Sequence, residues 1–397
     1  MSRNKYQKII IVLTAVLLLP LWMWLAWLLT SKKKLVAVIV DKTVEMTNGS
    51  QHASFTWVLN NQRFTKNANN LYNSNHDYFG FFPLPDEKFR LKGLERFSPE
   101  LLEKLSNDAD MVYFTDTYGV YKNDWYKKKT EGGSGFIYGG MSEQDIELLQ
   151  KMKAKHKLII SEFNTIGSPT SDKVRGDFED LFGLKWSGWV GRYFPSLDTT
   201  GNADLPAWIV NNYKDNYKEG WPFHAAGIVF VNTNGKVVIL EKGNQLSEAL
   251  PSIHVEPNAQ KKYNLPEQIA YPFWFDVMQF DSSLNEPIAE FEVKATGAGM
   301  QLLKQNNIPV RFPAILMHKN KDYQFYYFSG NFCDNPVSMK TSYFKGISAF
   351  ESLFYHSEDA TDRKQFFWKF YRPLITVITN DYYELLERTN AGNISGK

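Results

Sequence analysis

The chain has 397 residues, of which 22% are charged and 43% are hydrophobic, and its net charge is +2. This length exceeds one minimal domain and falls short of three, and the composition excludes global disorder. The small net charge gives no electrostatic reason to expect a nucleic-acid partner. Aromatic residues make up 15% of the chain. Such rings pack protein cores more often than they form sugar-binding platforms, so composition alone assigns no ligand.

The N-terminal part contains an uncharged apolar stretch from Ile9 to Thr30, which is long enough to span a bilayer as a helix. Three tryptophans lie toward its C-terminal side, where an aromatic belt forms in membrane proteins: Trp22, Trp24 and Trp27. A cleaved signal peptide is the alternative. The stretch is too long for an ordinary signal-peptide core, and it runs into residues 31–34 without a small-residue cleavage site. We therefore predict an uncleaved single-pass anchor after a short basic segment, residues 1–8.

The orientation of this anchor depends on the lysines and arginines on its two sides. Basic residues precede the stretch and also follow it at 32–34, so the positive-inside rule nearly cancels. A short basic N-terminus before a large domain is typical of an inside N-terminus, which places residue 35 onward outside the cytoplasm. The only cysteine, Cys333, cannot form an intrachain disulfide, and we expect it to be a buried thiol.

Three short apolar runs, 35–40, 111–115 and 158–161, are each followed by an acidic residue. Such runs predict buried parallel strands. The three acids are Asp41, Asp116 and Glu162. Because ligands of open α/β sheets lie beyond the carboxyl ends of the strands, we expect the three acids to share a crevice if the strands are neighbours.

Helix signals alternate with these strands. Ser98 and Ser142 are expected to cap helices 98–105 and 142–155, and Gly183 is expected to end a helix that starts at 171. The segment 60–94 is predicted to be a long ordered loop because of its Asn, Pro and aromatic content. Asn232–Gly235 indicates a hairpin turn. Strands are predicted to predominate after residue 251.

The predicted organisation is one α/β domain, residues 35–350, in which 250–350 is a distinct subregion or a continuation of the same sheet. A long amphipathic helix at 360–390 follows, and Pro373 is expected to kink it. Strands that alternate with helices in the first half predict a mostly parallel sheet flanked by helices, with late strands and hairpins added.

Several segments resemble the class I glutamine amidotransferase-like superfamily, which has a flavodoxin-like fold. They include 138–142, which resembles that fold's glycine turn, and 157–164, which resembles its elbow strand. Further segments, 175–189, 313–318 and 326–332, are similar to the membrane-envelope and trehalose-utilisation-like branches. The resemblance spans most of residues 35–350. It implies the fold and the location of a site.

The chain departs from this family where the family's chemistry resides. At the elbow it has Glu162 or Phe163 instead of the cysteine nucleophile, and Cys333 lies on a different strand end. A thiol nucleophile needs an adjacent base and an orienting group. We therefore expect a degenerate member of the superfamily that does not hydrolyse glutamine with a thiol.

The three strand-end acids are the candidate catalytic residues. Two carboxylates can act as acid and base, or as acid and nucleophile, on a glycosidic bond, and such acids can also hold a hard cation. Alternatively, they cap local turns or pair with Arg175 or Arg192. The candidate ligand-binding residues are His52, Tyr118, Trp189 and Arg192. Asp276 and Asp334 rank second as acids near strand ends.

The sequence lacks HExxH, P-loop, CxxC and GxSxG motifs, so no cofactor is predicted and a metal is left open. We predict a membrane-anchored envelope protein that binds glycan or assists polysaccharide assembly or export. Its expected partners are the membrane, a glycan and an envelope protein complex, with no nucleic acid. The alternative is a glycan hydrolase that uses the three carboxylates.

Overall fold

The computed structural model describes residues 14–44, 51–128, 135–200, 202 and 204–395. The described strands, numbered β1–β18, are Lys33–Lys34, Ala37–Asp41, Phe64–Thr65, Phe79–Pro83, Phe89–Lys92, Met111–Asp116, Val120–Tyr121, Phe136–Tyr138, Leu158–Glu162, Leu184–Phe194, Gly227–Asn232, Val237–Glu241, Ser252–Val255, Gln268–Ala270, Phe275–Phe280, Asn285–Glu292, Arg311–His318 and Gln324–Phe328.

The described α-helices, numbered α1–α11, are Leu19–Leu29, Ala53–Asn61, Pro99–Asp108, Lys122–Trp125, Glu143–Ala154, Asp172–Phe182, Ala207–Tyr217, Pro257–Tyr263, Gly297–Gln305, Arg363–Phe366 and Arg372–Ser395. Two 3₁₀ segments, Met339–Tyr343 and Ile347–Leu353, and one π-helical turn, Phe367–Tyr371, complete the described helical elements.

A ten-stranded sheet forms the centre of the fold, in the order β14-β13-β16-β17-β18-β9-β6-β2-β4-β5. The pairings from β18 through β4 are parallel, and the strands on both flanks pair antiparallel. The prediction of an α/β fold with a large sheet, parallel at its centre and extended by late strands, is confirmed at this level. A second sheet of four antiparallel strands, β12-β11-β10-β15, contains the predicted hairpin at 232–235.

The two faces of the large sheet bury separate sets of apolar side chains. Ile39, Tyr113 and Ile160 point to one face and pack with α2 and α11. Val40 and Phe114 point to the other face and pack with α3, α5 and α6. This alternation follows from the period of two along a strand. Because both faces are covered, the strand runs are continuously apolar, as the sequence showed.

The capped helices form where the sequence predicted them. The Ser98 and Ser142 side chains accept hydrogen bonds from backbone N–H groups in the first turns of α3 and α5, and Asp145 completes a capping box. Gly183 ends α6 in the left-handed conformation, with φ of 65°. These local signals hold because each cap satisfies backbone groups that the helix itself leaves unpaired.

The prediction of a long loop over 60–94 is wrong. This segment contains β3, β4 and β5, and β4 extends the large sheet by pairing in parallel with β2. Gly80 lets the two strands approach, because a Cβ on Gly80 would lie 1.6 Å from the carbonyl oxygen of Asp41. Residues typical of turns flank β4, so the sequence predicted a loop there. Pairing with β2, which is distant in sequence, stabilises the strand.

The C-terminal helix is interrupted before Pro373 rather than within a regular helix. The π-helical turn Phe367–Tyr371 separates α10 from α11, and Pro373 lies in the first turn of α11. A proline is tolerated there because its missing N–H falls outside the regular ladder. Leu374, Ile375 and Ile378 of α11 join the core on the Ile39 face of the large sheet.

The predicted anchor, 9–30, lies only partly within the described residues, which include α1. The N-terminal segment 1–8 lies outside them. In the described part of the chain, no helix combines the length and the apolarity that crossing a membrane requires. Membrane anchoring therefore stays a prediction.

Candidate functional site

The three acid-ended strands are neighbours, in the order β9-β6-β2. Asp41 is the pairing partner of Asp116, and Phe114 is the partner of Ser161, which directly precedes Glu162. The acids are therefore the last residues of three neighbouring parallel strands and lie at one edge of the sheet. All three are buried, and none is more than 3% exposed.

Asp41 forms a buried pair with His52, which precedes α2. The His52 Nδ1 atom lies 2.6 Å from Asp41 Oδ2, and Nε2 lies 2.8 Å from the Ser74 carbonyl oxygen. Both ring nitrogens therefore face oxygen acceptors.

Asp116 accepts hydrogen bonds from several neighbours. The Thr43 hydroxyl donates to Oδ1 at 2.6 Å, and the Tyr118 N–H donates to the same oxygen at 2.7 Å. The Asn164 amide lies 3.4 Å from Oδ2. Burial raises the pKa of Asp116 to about 7, and the charge of Asp41 adds to the rise, although these hydrogen bonds oppose it. Asp116 can therefore exchange a proton near neutral pH.

Glu162 lies in a second cluster at the same edge. The Tyr113 hydroxyl donates to Oε2 at 3.1 Å, and the Cys333 N–H donates to Oε1 at 3.2 Å. The Tyr371 hydroxyl lies 3.1 Å from Cys333 Sγ and 3.3 Å from the Tyr113 hydroxyl. Burial raises the pKa of Glu162 well above its ordinary value, and it also raises that of the Cys333 thiol. Cys333 is buried, as predicted, and a protonated thiol is a poor nucleophile.

The tight turn after β9 falls at Asn164, two residues beyond Glu162. Asn164 has a φ of 66°, a left-handed backbone that asparagine tolerates better than most residues. The sequence placed the elbow at Glu162 or Phe163. Because Asn164 instead occupies the turn, Glu162 is the last residue of the strand and points into the core rather than out of the turn.

Asp276, ranked second from the sequence, is buried on β15 near the same edge. The Tyr327 hydroxyl donates to Oδ2 at 2.9 Å. Burial raises the pKa of Asp276 to about 7. Asp334, the other second-ranked acid, lies 3.7 Å from Arg363 in a partly exposed ion pair.

A buried lysine beside the acids was missed by sequence reasoning. The Lys42 ammonium donates to Asp145 at 2.7 Å, to the Gly140 carbonyl at 2.9 Å and to Glu95. Burial disfavours its charge, but Asp145 and Glu95 outweigh that effect and raise the pKa of Lys42. All three N–H donors are used, so Lys42 ties the end of β2 to the start of α5 and is not available to a ligand.

The remaining predicted ligand residues do not gather at this edge. Trp189 and Arg192 lie on β10 of the four-stranded sheet, where Trp189 is buried in the core and the Arg192 guanidinium lies 4.8 Å from the Phe194 ring. Burial lowers the pKa of Arg192. Arg175, the other arginine considered as a partner for the acids, pairs with Asp172 instead.

Tyr118 begins a row of aromatic rings at the edge, which we call the ring row: Tyr118, Tyr121 and Phe136. Tyr118 and Phe136 are 40% and 50% exposed, and their rings lie 5.2 Å and 5.5 Å from that of Tyr121. The backbone N–H of Tyr118 contacts Asp116, so the row starts directly above the acids. Sequence reasoning identified Tyr118 but not the row, because Phe136 comes from a later strand.

Within the ranges that the structure describes, no group of three or more His, Cys, Asp or Glu side chains is arranged to hold a metal ion. The polar neighbours Thr43 and Asn164 each follow a strand-end acid by two residues, a signal that the sequence contained. The sequence did not identify Tyr113 and Tyr371 as neighbours of the acids, because an aromatic residue within an apolar run predicts core packing.

The sequence matches no family model and no curated protein. Among solved structures, a ThuA-like protein from Bacteroides uniformis is similar at 8% identity, with 86% of this chain and 93% of that chain covered and a TM-score of 0.35. A carbohydrate deacetylase is similar at 8% identity, covering 75% and 30% of the two chains, with a TM-score of 0.31.

The β-galactosidase from Bacillus circulans sp. alkalophilus is similar at 11% identity over 57% of this chain, with a TM-score of 0.27. The chain spans about a fifth of the length of that enzyme, 22%. These TM-scores are too low to establish a shared fold. The resemblance to the amidotransferase-like superfamily therefore stays a prediction.

Proposed function

We propose that the protein is a membrane-anchored envelope protein that binds glycan at the ring row, in the service of polysaccharide assembly or export. The observation that carries the proposal is the exposure of Tyr118 and Phe136 in a continuous row at the edge of the sheet. Open α/β sheets bind their ligands at this edge. A tyrosine ring offers an apolar face and a polar tip, which suits the mixed surface of a sugar.

Binding is favoured over hydrolysis by the burial of the acids. Asp41, Asp116 and Glu162 are each at most 3% exposed, and each has local hydrogen-bond partners. A general acid must come within hydrogen-bond distance of the glycosidic oxygen, directly or through one water. In this structure the three acids instead hold the strand ends together below the ring row.

Hydrolysis of glycan by these carboxylates is the second candidate function. It is favoured by one observation, the pKa of Asp116 of about 7, because an acid that titrates near neutral pH suits general acid catalysis. A hydrolase of this kind would need the Tyr118 segment to move away from Asp116 and admit substrate.

The binding proposal is tested with purified full-length protein and three immobilised probes: peptidoglycan fragments, O-polysaccharide and capsular polysaccharide. We expect at least one probe to retain the unaltered protein, and the double variant Tyr118→Ala, Tyr121→Ala to lose most of that binding. The control is Trp208→Ala, which removes a ring that is 47% exposed on α7, away from the ring row. Equal loss in the control, or no binding by the unaltered protein, contradicts the proposal.

The two candidate functions are separated by measuring the release of reducing ends from the same three probes. A binding protein releases none. A hydrolase releases reducing ends, and Asp116→Asn abolishes that release while leaving binding intact.

A further inference from the structure

Helix α1 is fastened to the globular part of the chain at its C-terminal end. Trp27 is 5% exposed, and its Nε1–H donates to the Asn60 carbonyl at 3.0 Å. The Arg63 guanidinium donates to the Trp27 carbonyl at 2.8 Å and to the Leu28 carbonyl, and it lies 4.6 Å from the Trp27 ring. Arg63 thus satisfies carbonyl groups that the end of a helix leaves unpaired.

A second contact lies farther toward the start of this helix. We call residues 343–353 the foot segment; it includes the 3₁₀ helix Ile347–Leu353. The Tyr343 ring lies 5.0 Å from that of Trp27, and the Lys345 N–H donates to the Met23 carbonyl at 3.0 Å. Met23 precedes the helix-ending Thr30 by about 10 Å along the axis, at about 1.5 Å per residue. The foot segment therefore lies beside the apolar helix rather than beyond its end.

The foot segment is hydrogen-bonded and packed to the rest of the domain on its inner side. The Asn61 side chain donates to the Ser342 and Phe344 carbonyls at 3.0 Å and 3.3 Å. Ile347 packs against the core. On the outer side, Phe350 and Leu353 are 36% and 77% exposed. Large exposed apolar side chains next to an apolar helix are typical of a surface that contacts another apolar phase.

Cationic groups accompany this apolar surface. Lys345 is exposed, and burial together with the nearby Lys345 charge lowers the pKa of Lys33. Lys33 therefore lies near Lys345, although its own ammonium donates to the Asn380 side chain at 2.9 Å. Lysines beside exposed apolar residues suit the boundary between anionic headgroups and acyl chains.

We propose that the foot segment inserts into the interface of the same bilayer that holds α1, so that the domain is bound to the membrane at two places. This inference rests on the membrane anchor of the proposed function. The occupant of the surface is an anionic phospholipid bilayer. The contact with Met23 sets the depth of the foot segment relative to the bilayer, because it places the segment alongside anchor residues that the bilayer would bury.

The test uses the full chain in vesicles of phosphatidylcholine and phosphatidylglycerol. A cysteine is introduced by Leu353→Cys and labelled with an environment-sensitive fluorophore; the native Cys333 is buried, and the unsubstituted chain measures its background labelling. We expect blue-shifted emission that nitroxide-bearing lipids quench. The matched control is Met300→Cys on α9, a side chain that is 51% exposed, and its emission should stay red-shifted and unquenched.

The outcomes separate this inference from the anchor. Flotation with the vesicles reports membrane anchoring. A chain that fails to float overturns both the anchor and the insertion of the foot segment. A chain that floats with an unquenched label at Leu353 overturns the foot segment alone. A blue-shifted label that the nitroxide lipids do not quench indicates that protein covers the surface instead, and this also overturns the inference. Phe350→Cys provides a second label in the same segment.

Discussion

Asp116 couples the stability of the fold to pH. Its pKa is about 7 in the folded protein, against about 3.9 for an aspartate in an unfolded chain. Between these values the folded protein holds a proton that the unfolded chain releases. The free energy of unfolding therefore falls as pH rises from about 4 to about 7, by about 1.4 kcal/mol per pH unit, and this contribution is constant above pH 7.

The variant Asp116→Asn removes this titration. The asparagine oxygen can still accept from Thr43 and Tyr118, and the side chain carries no ionisable group. We expect the difference in free energy of unfolding between the variant and the unaltered protein to grow by about 3 kcal/mol from pH 5 to pH 8, in favour of the variant. Urea unfolding at both pH values measures this gain. The control Asp180→Asn alters an exposed acid, and parallel pH profiles for all three proteins would show that Asp116 is ionised in the fold at both pH values.

At the residue scale, the sequence identified the acids but could not predict their state. The position of Asp41, Asp116 and Glu162 at strand ends follows from local pattern. The pKa of Glu162 depends on burial and on groups that are distant in sequence, such as Tyr113 and the Cys333 N–H, which donate to its carboxylate. Only the folded chain brings these groups together. The sequence therefore could not show that the predicted catalytic acids are buried.

Lys42 acts at the scale of elements, because it joins β2 to α5. Its ammonium is buried between Asp145, which caps α5, and Glu95. The variant Lys42→Met leaves the buried Asp145 carboxylate without its cation. We expect it to lower the free energy of unfolding by about 3–5 kcal/mol, the usual result of breaking a buried ion pair. Thermal and urea unfolding of the full chain measure the loss.

A matched control separates burial from charge. Lys66 pairs with Asp77 at 2.6 Å, but both side chains are partly exposed. Because exposed ion pairs contribute about 0–1 kcal/mol, Lys66→Met should have a small effect. Equal losses in the two variants would show that the Lys42 cluster has no special role in joining the two elements.

The elements that the sequence predicted well are those with local signals. Ser98, Ser142 and Gly183 mark helix ends through contacts within a few residues. Strand β4 was missed because its partner β2 is distant in the chain and its flanks are rich in turn residues. The π-helical turn was missed for a similar reason, since Pro373 predicted a kink but not the form of the interruption.

At the scale of the molecule, α11 belongs to the same core as the first strands. Its side chains Ile375 and Ile378 are at most 2% exposed and share a cluster with Ile39 of β2. The Tyr382 hydroxyl donates to the Asp110 carbonyl, directly before β6, at 2.7 Å. The end of the chain thus covers one face of the sheet that its beginning builds, and the two should unfold together.

This cooperativity is tested by Ile375→Ala, which we expect to cost about 2–5 kcal/mol because it leaves a cavity between α11 and the sheet. Circular dichroism and tryptophan fluorescence should report one common transition, since Trp57 of α2 and Trp368 of the π-helical turn lie in this cluster. The control Leu385→Ala changes a residue of α11 that is 45% exposed, and its cost should stay within about 0.5 kcal/mol. If Ile375→Ala instead separates the two transitions, α11 folds apart from the sheet.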